Sequence, residues 1–443
     1  KCSGFFTGRH LLGHQQTSAM SRPVEDGHKG LELEGCAEEL QEQLHGEEVP
    51  LHAEEDLPPV RLLVIPMTCI FQGYAAYVVC QRYLKAKLGV GHTGQQEHLF
   101  TQATVFMHYG KLLARVGHDF LCPCYSSWMR VMIAQFLVFL AVLVPPVFVW
   151  GFGHHWVGYA FFHYLLLGIG VGVFEGTFLS VISPLGKLTK AWAILGAPLG
   201  LAIVDIIGQL CTSKTTLAMD PVYIYWYIAV CVPIGMAVFA VHAPRSSGVV
   251  HQQAKFFKSL REGHRWFVPM VPFFLAKAVG NFVMENTPGW FYVYNGSKVP
   301  FFSPSAETNL MDPDLYFVLI YIAVLLGDAI SRRVAYRFKL DTLRANVTLL
   351  SVSVLCSLMG FALESLAIAA VTLAAGFLAF WGNGLGYAVA AKYIDRFVPK
   401  EHNRAVYSLW CMVGDVGSIA GASLVDWVDS IFCREAYKYE CIH

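Results

Sequence analysis

Eleven times along this chain a mostly apolar stretch recurs that is about as long as the roughly 20 residues an α-helix needs to cross a bilayer. The stretches lie near residues 62–80, 99–116, 131–150, 157–179, 191–210, 222–241, 267–286, 315–331, 345–363, 366–391 and 405–428. The second is the weakest, because His108 and Lys111 interrupt it. Inside hydrocarbon every backbone N–H and C=O must find its partner within the segment, so runs of this length are predicted to be helices. A chain of 443 residues that is 55% hydrophobic and only 14% charged also has more apolar surface than one soluble core can hide. The expected fold class is an all-α polytopic membrane protein.

The 32 basic and 32 acidic residues balance, which gives no reason to expect a nucleic-acid partner. Their positions carry more information. Residues 1–59 hold acidic runs such as Glu38-Glu39 and Glu54-Glu55-Asp56 with little apolar periodicity, and read as a disordered cytosolic tail. With that end inside, the loops assigned to the cytosol carry nineteen Lys and Arg, from Lys111 and Arg115 to Lys400 and Arg404. The opposite loops carry five: Arg82, Lys85, Lys87, Lys214 and Lys298. That asymmetry is what the preference of basic loops for the cytosol predicts. A basic connector, residues 243–265, separates an N-terminal six-helix bundle (60–242) from a C-terminal five-helix bundle (266–431) and a short tail (432–443). Two bundles joined this way suggest a major-facilitator-like carrier, with about eleven transmembrane helices arranged six and five.

Of two glycosylation sequons, the one at Asn295 falls in the longest luminal loop and is expected to be usable, whereas Asn346 falls at a membrane edge on the cytosolic side. The 12 cysteines show no zinc-ligand spacing, and no metal site is expected. Cys433 and Cys441 either bridge, if the tail faces an oxidising lumen, or remain free thiols.

An ionisable group within a span is costly unless it faces a partner or water, so function is sought among such groups. Glu175, Asp205, Lys277, Glu285, Asp328, Arg332 and Asp415 fall within or at the ends of spans, with His108, His163 and His242. Asp328 and Arg332, four residues apart, share a helix face and either pair or jointly grip a polar solute. Lys277 and Glu285 lie about two turns apart on one face. The lysine is expected to pair with Glu175 or Asp415, or to bind an anionic group such as phosphate or carboxylate. Phosphate-cradling loops, nucleophile elbows and His-Glu-x-x-His pairs are absent from the sequence, so neither an enzyme nor a cofactor is expected.

Several of these residues sit in longer motifs. Glu175-Gly176-Thr177-Phe178-Leu179-Ser180 resembles a signature of the battenin family of lysosomal and vacuolar membrane proteins. Trp192 with Gly196 and Gly200, Ser331-Arg332, and Glu401-His402 with Ala405, Asp415, Gly417, Gly421 and Cys433 are similar to further stretches of that family. The resemblance runs over about residues 100–433. It implies an eleven-helix major-facilitator-related fold, a lysosomal or vacuolar membrane, and a part in luminal pH and in basic amino-acid or glycerophosphodiester balance. Two positions depart from the family: Lys277 stands where it places a glutamate, and Asn403-Arg404 replaces its Arg-Glu. Asp328-x-x-x-Arg332 and Asn383-Gly384 are also similar to the equilibrative nucleoside transporters. A third expectation is a non-transporting endolysosomal adaptor that recruits cytosolic trafficking partners through its acidic tail. The leading expectation is a carrier whose pathway for a small polar solute, with or without protons, is lined by Glu175, Lys277, Glu285, Asp328, Arg332 and Asp415.

Overall fold

The structure, a computed structural model, describes residues 58–91, 95–121, 125–213, 216–245, 256–261, 263–286, 299–302, 310–364, 366 and 368–436. The acidic N-terminal segment to residue 57, the sequon at Asn295 and Cys441 lie outside the described residues, as does the side chain of Cys433. Eleven long helical segments follow one another: α1 (Val64–Val79), α2 (Gln95–Leu121), α3 (Ser127–Val144), α4 (Gly158–Ile182), α5 (Lys187–Thr212) and α6 (Val222–His242), then α7 (His264–Asn286), α8 (Pro313–Ala335), α9 (Leu343–Glu364), α10 (Ala369–Phe397) and α11 (Asn403–Ala436). A two-residue antiparallel pair, β1 (Val299–Pro300) and β2 (Leu310–Met311), lies between α7 and α8.

Local chemistry explains many of the breaks. Ser126 caps α3 by accepting a hydrogen bond from the Met129 N–H at 3.2 Å. Pro145-Pro146 then turns the end of that helix into a π-helical segment, Pro145–Gly151, because neither proline can donate to the helical ladder. α5 is itself discontinuous: Lys187–Ala193 and Gly196–Ala202 are α-helical, Ile203–Ile207 is π-helical, and Gly208–Thr212 completes it.

Among the described residues nine helices are long and apolar enough to cross a membrane. A tenth span forms if Arg61–Tyr77 and the short helix Gln81–Lys87, bent by 50°, count as one. The remaining helix, α2, has ample length at 27 residues but too many polar groups. Those groups face inward: His108, Lys111 and Arg115 are all at least 95% buried in the protein. Lys111 and Arg115 are therefore not loop charges, as the sequence suggested, but members of the bundle interior. Outward-facing Val230, Leu275 and Leu355 are more than 60% exposed. Leaving each in water would forgo roughly 1.5–3 kcal/mol of burial, which contact with lipid supplies. The chain is a multi-pass membrane protein.

The helices pack as six and five. α4 lies against α2 and α3, α1 against α5 and α6, and α3 against α6. In the second group α10 lies against α8 and α9, and α7 against α9, α10 and α11. The two groups meet where α11 crosses α2 and α4, and where α8 crosses α5. Close approach of α2 and α4 requires glycine: a methyl group on Gly172 would stand 2.6 Å from the Lys111 carbonyl oxygen.

Candidate functional site

The α2–α4–α11 crossing collects the buried charges. Lys111 and Arg115, four residues apart, project from one face of α2. The Arg115 guanidinium donates through Nε to Asp415 Oδ2 on α11 and through Nη2 to Glu175 Oε2 on α4 at 2.7 Å. Weaker contacts run from Nη2 to Asp415 Oδ1 and from Nη1 to the Gly172 carbonyl, both at 3.4 Å. Lys111 Nζ stands 3.4 Å from Asp415 Oδ1 and 5.0 Å from the centre of the Tyr74 ring. From the other group, Tyr387 on α10 donates its hydroxyl hydrogen to Glu175 Oε1 at 3.2 Å. Two cations and two carboxylates thus neutralise one another, and the two pairs to Asp415 run between the helix groups.

Tyr387 also shapes the adjacent cleft. Its ring faces Arg332 at 4.3 Å and Lys277 at 5.2 Å, and meets Trp410 edge-on at 4.9 Å. Phe273, Lys277, Ser353, Ser357, Asn383, Tyr387 and Trp410 are among the residues lining this cleft, whose free volume of about 10 Å³ is room for one water. Ser353 and Ser357 donate to the carbonyls of Gly382 (2.8 Å) and Ala379 (3.2 Å), so only acceptor capacity remains on their oxygens. Lys277 is different. Its ammonium lies 5.2 Å from the centres of both the Tyr387 and the Trp410 rings, yet among the described residues no hydrogen bond or salt bridge engages it. The Asn383 amide, on the same wall, likewise has no described partner. A compact cation with free N–H groups beside an amide is suited to oxygen-bearing, anionic groups.

The expected site residues therefore separate. Glu175 and Asp415 come together, through Arg115, which the sequence reading placed in a loop. Lys277 pairs with neither. Glu285, further along α7, has Ser418 and Lys111 as its polar neighbours rather than Lys277. Asp328 and Arg332 close on each other in a fork, Nε to Oδ1 and Nη2 to Oδ2, both 2.9 Å, while Nη1 donates to the Ile194 carbonyl on α5 at 2.9 Å. The bond to Ile194 links α8 to the break in α5.

A further cluster, unanticipated from sequence, joins the groups near the basic ends of the helices. Lys190 Nζ on α5 donates to both oxygens of Asp395 on α10 (2.5 and 2.6 Å) and to the Tyr407 hydroxyl on α11 (3.1 Å). Ser183, just beyond α4, donates to the same carboxylate at 3.2 Å. Asn346 is buried and donates to the carbonyls of Leu340 and Thr342, which leaves this sequon inaccessible to glycosylation. Among the described residues no group of three or more His, Cys, Asp or Glu could hold a metal ion.

Six plus five long helices, most of them apolar enough to cross a membrane, that meet along α2–α11 and α5–α8 define a polytopic protein of the major-facilitator fold. The chain is similar to a variant of the E. coli fucose:proton symporter FucP, with a TM-score of 0.57 at 14% identity, covering 83% of this chain and 92% of that one. It is also similar to FucP in an outward conformation, described as a major facilitator superfamily transporter, with a TM-score of 0.55 at the same identity and coverage. No protein-family model matches the sequence, and no curated protein does.

Proposed function

We propose that the protein is a battenin-like solute carrier of a lysosomal or vacuolar membrane, with its N-terminus cytosolic, that moves a small polar solute between the two helix groups. One observation carries this reading: Lys277, in a cleft walled by Tyr387 and Trp410, makes no hydrogen bond or salt bridge among the described residues, while Lys111, Arg115 and Arg332 each hold a carboxylate directly. A half-buried ammonium without a direct carboxylate contact, beside cations that each have one, marks the place where a solute's own anion completes the balance. Among the solutes implied by the battenin resemblance, a glycerophosphodiester offers that anion directly, and an amino acid offers a carboxylate. The FucP likeness supports an alternating carrier, and the proton in that protein's name makes a pH gradient the driving force to try first. The nucleoside-carrier reading is less favoured, because the Asp328–Arg332 fork is closed on itself and on Ile194.

Counterflow of labelled glycerophosphodiesters, arginine and uridine into liposomes under an imposed pH gradient tests the proposal. Native protein is expected to take up the phosphodiester, and Lys277→Ala to lose at least about tenfold of that rate, the factor given by ~1.4 kcal/mol. Glu175→Gln is expected to impair turnover as well. Uptake indifferent to Lys277→Ala would remove the cleft from the pathway. If folded native protein moves none of these solutes, the trafficking-adaptor reading takes its place.

A further inference from the structure

We propose that Asp205 is a proton-binding site at the second contact between the helix groups, holding a proton while α5 lies packed on α8 and releasing it when that contact opens to water. Asp205 takes no part in the charge network above. It sits in the π-helical segment Ile203–Ile207, seven residues before the end of α5 and so roughly 10 Å inside the helix terminus. π-helical turns interrupt the regular ladder and are frequent at functional positions. This one lies where α5 meets α8.

The residue is 91% buried, and its Oδ1 is enclosed without a hydrogen-bond partner. No described residue forms a salt bridge with it. The titratable groups around it are Cys80, at the end of α1, and Tyr321, on α8. Tyr225 of α6 stands behind Cys80. Arg82, in the short helix after α1, is turned elsewhere: it donates to Gln209 Oε1 at 3.3 Å and to the Tyr83 hydroxyl at 2.5 Å. The surroundings therefore offer a negative charge at Asp205 neither a cation nor a donor. A carboxylate there is far costlier than a neutral acid, because desolvating a charge is penalised much more than desolvating a polar group. Glu175 and Asp415 are the opposite case, since cations already satisfy them and binding a proton would break those pairs. Separation of α5 from α8 would wet Asp205, ionise it, and oppose re-closure until a proton returns. Proton binding and the packing of this contact are thereby linked.

Infrared spectroscopy of the full-length protein in liposomes, together with hydrogen exchange, tests this without any transported solute. The carbonyl stretch of a protonated carboxylic acid is expected in native protein through neutral pH, missing in Asp205→Asn and displaced in Asp205→Glu. Amide exchange in residues 203–207, corrected for the intrinsic pH dependence, is expected to accelerate at alkaline pH in native protein and to stay level in Asp205→Asn. Native and Asp205→Asn spectra that superimpose at every pH, or equal exchange profiles, overturn the proposal. Should Asp205→Asn fail to fold, an acid band unmoved by Asp205→Glu overturns it as well.

Discussion

Arg115 holds as much of the buried charge together as Asp415, the best-connected residue singled out from the sequence. Its guanidinium touches both Glu175 and Asp415, and only 3% of it is exposed. Removing one partner from a buried ion pair leaves the other charge uncompensated, a loss of roughly 3–5 kcal/mol. Arg115→Ala is therefore expected to lower the thermal unfolding midpoint of the detergent-purified protein sharply. Adding Glu175→Gln to the same chain should restore part of the loss, because Lys111 still pairs with Asp415 and no carboxylate of the network is left without a cation. A double variant no more stable than Arg115→Ala would show that the network is not matched as described. Sequence reading missed Arg115 for an identifiable reason. A charge near the end of a weak apolar run looks the same whether it snorkels to the interface or turns into the bundle, and only the helix it faces decides between them.

At the scale of the helix, α2 is held by the small residues of α4. The methyl group of a Gly172→Ala variant would meet the backbone oxygen of Lys111, which cannot rotate away as a side chain can. Overpacking of this kind costs about 1–3 kcal/mol. Because it acts on the turn carrying Lys111, it should also disturb the Lys111–Asp415 pair. The expected outcome is a moderate fall in unfolding temperature with a disproportionate loss of uptake. An unchanged protein would mean that α2 shifts freely against α4. The apolar runs anticipated most helices within a few residues, since length and apolarity are local properties. They did not anticipate that α2 would extend over Gln95–Leu121 with its polar face inward, or that α5 would break into α- and π-helical pieces.

At the scale of the whole molecule, Lys190, Asp395 and Tyr407 tie α5 to α10 and α11, while Arg332 ties α8 to α5. An alternating carrier must release such ties once per cycle. Replacing the ion pair by neutral groups, Lys190→Met with Asp395→Asn, avoids leaving a buried charge unpaired and so should preserve the fold. It should favour the state open at this end. Cys411, 1% exposed on α11 one turn beyond Tyr407, reports that opening. Its alkylation by a membrane-impermeant maleimide is expected to quicken by about tenfold, the ratio set by ~1.4 kcal/mol of lost closure. A rate equal to that of native protein would argue that the cluster only braces the fold.

The sequence by itself determined that this chain lies in a membrane, roughly where its helices run, which of their ends are basic, and that Asp328 and Arg332 can meet, being one turn apart on a single helix. These follow from apolar length, charge composition and helical periodicity, all set by near neighbours in the chain. Only the tertiary structure decided the remaining partnerships. Arg115 reaches a carboxylate 300 residues away, and Lys277 is left to two aromatic rings although acids lie within its own bundle. Asp205 is buried in the segment of α5 that meets α8, with no salt bridge to a described cation. Buried charges are matched across packed helices, and the register of that packing depends on small residues and helix breaks throughout the fold, so no local stretch of sequence encodes it.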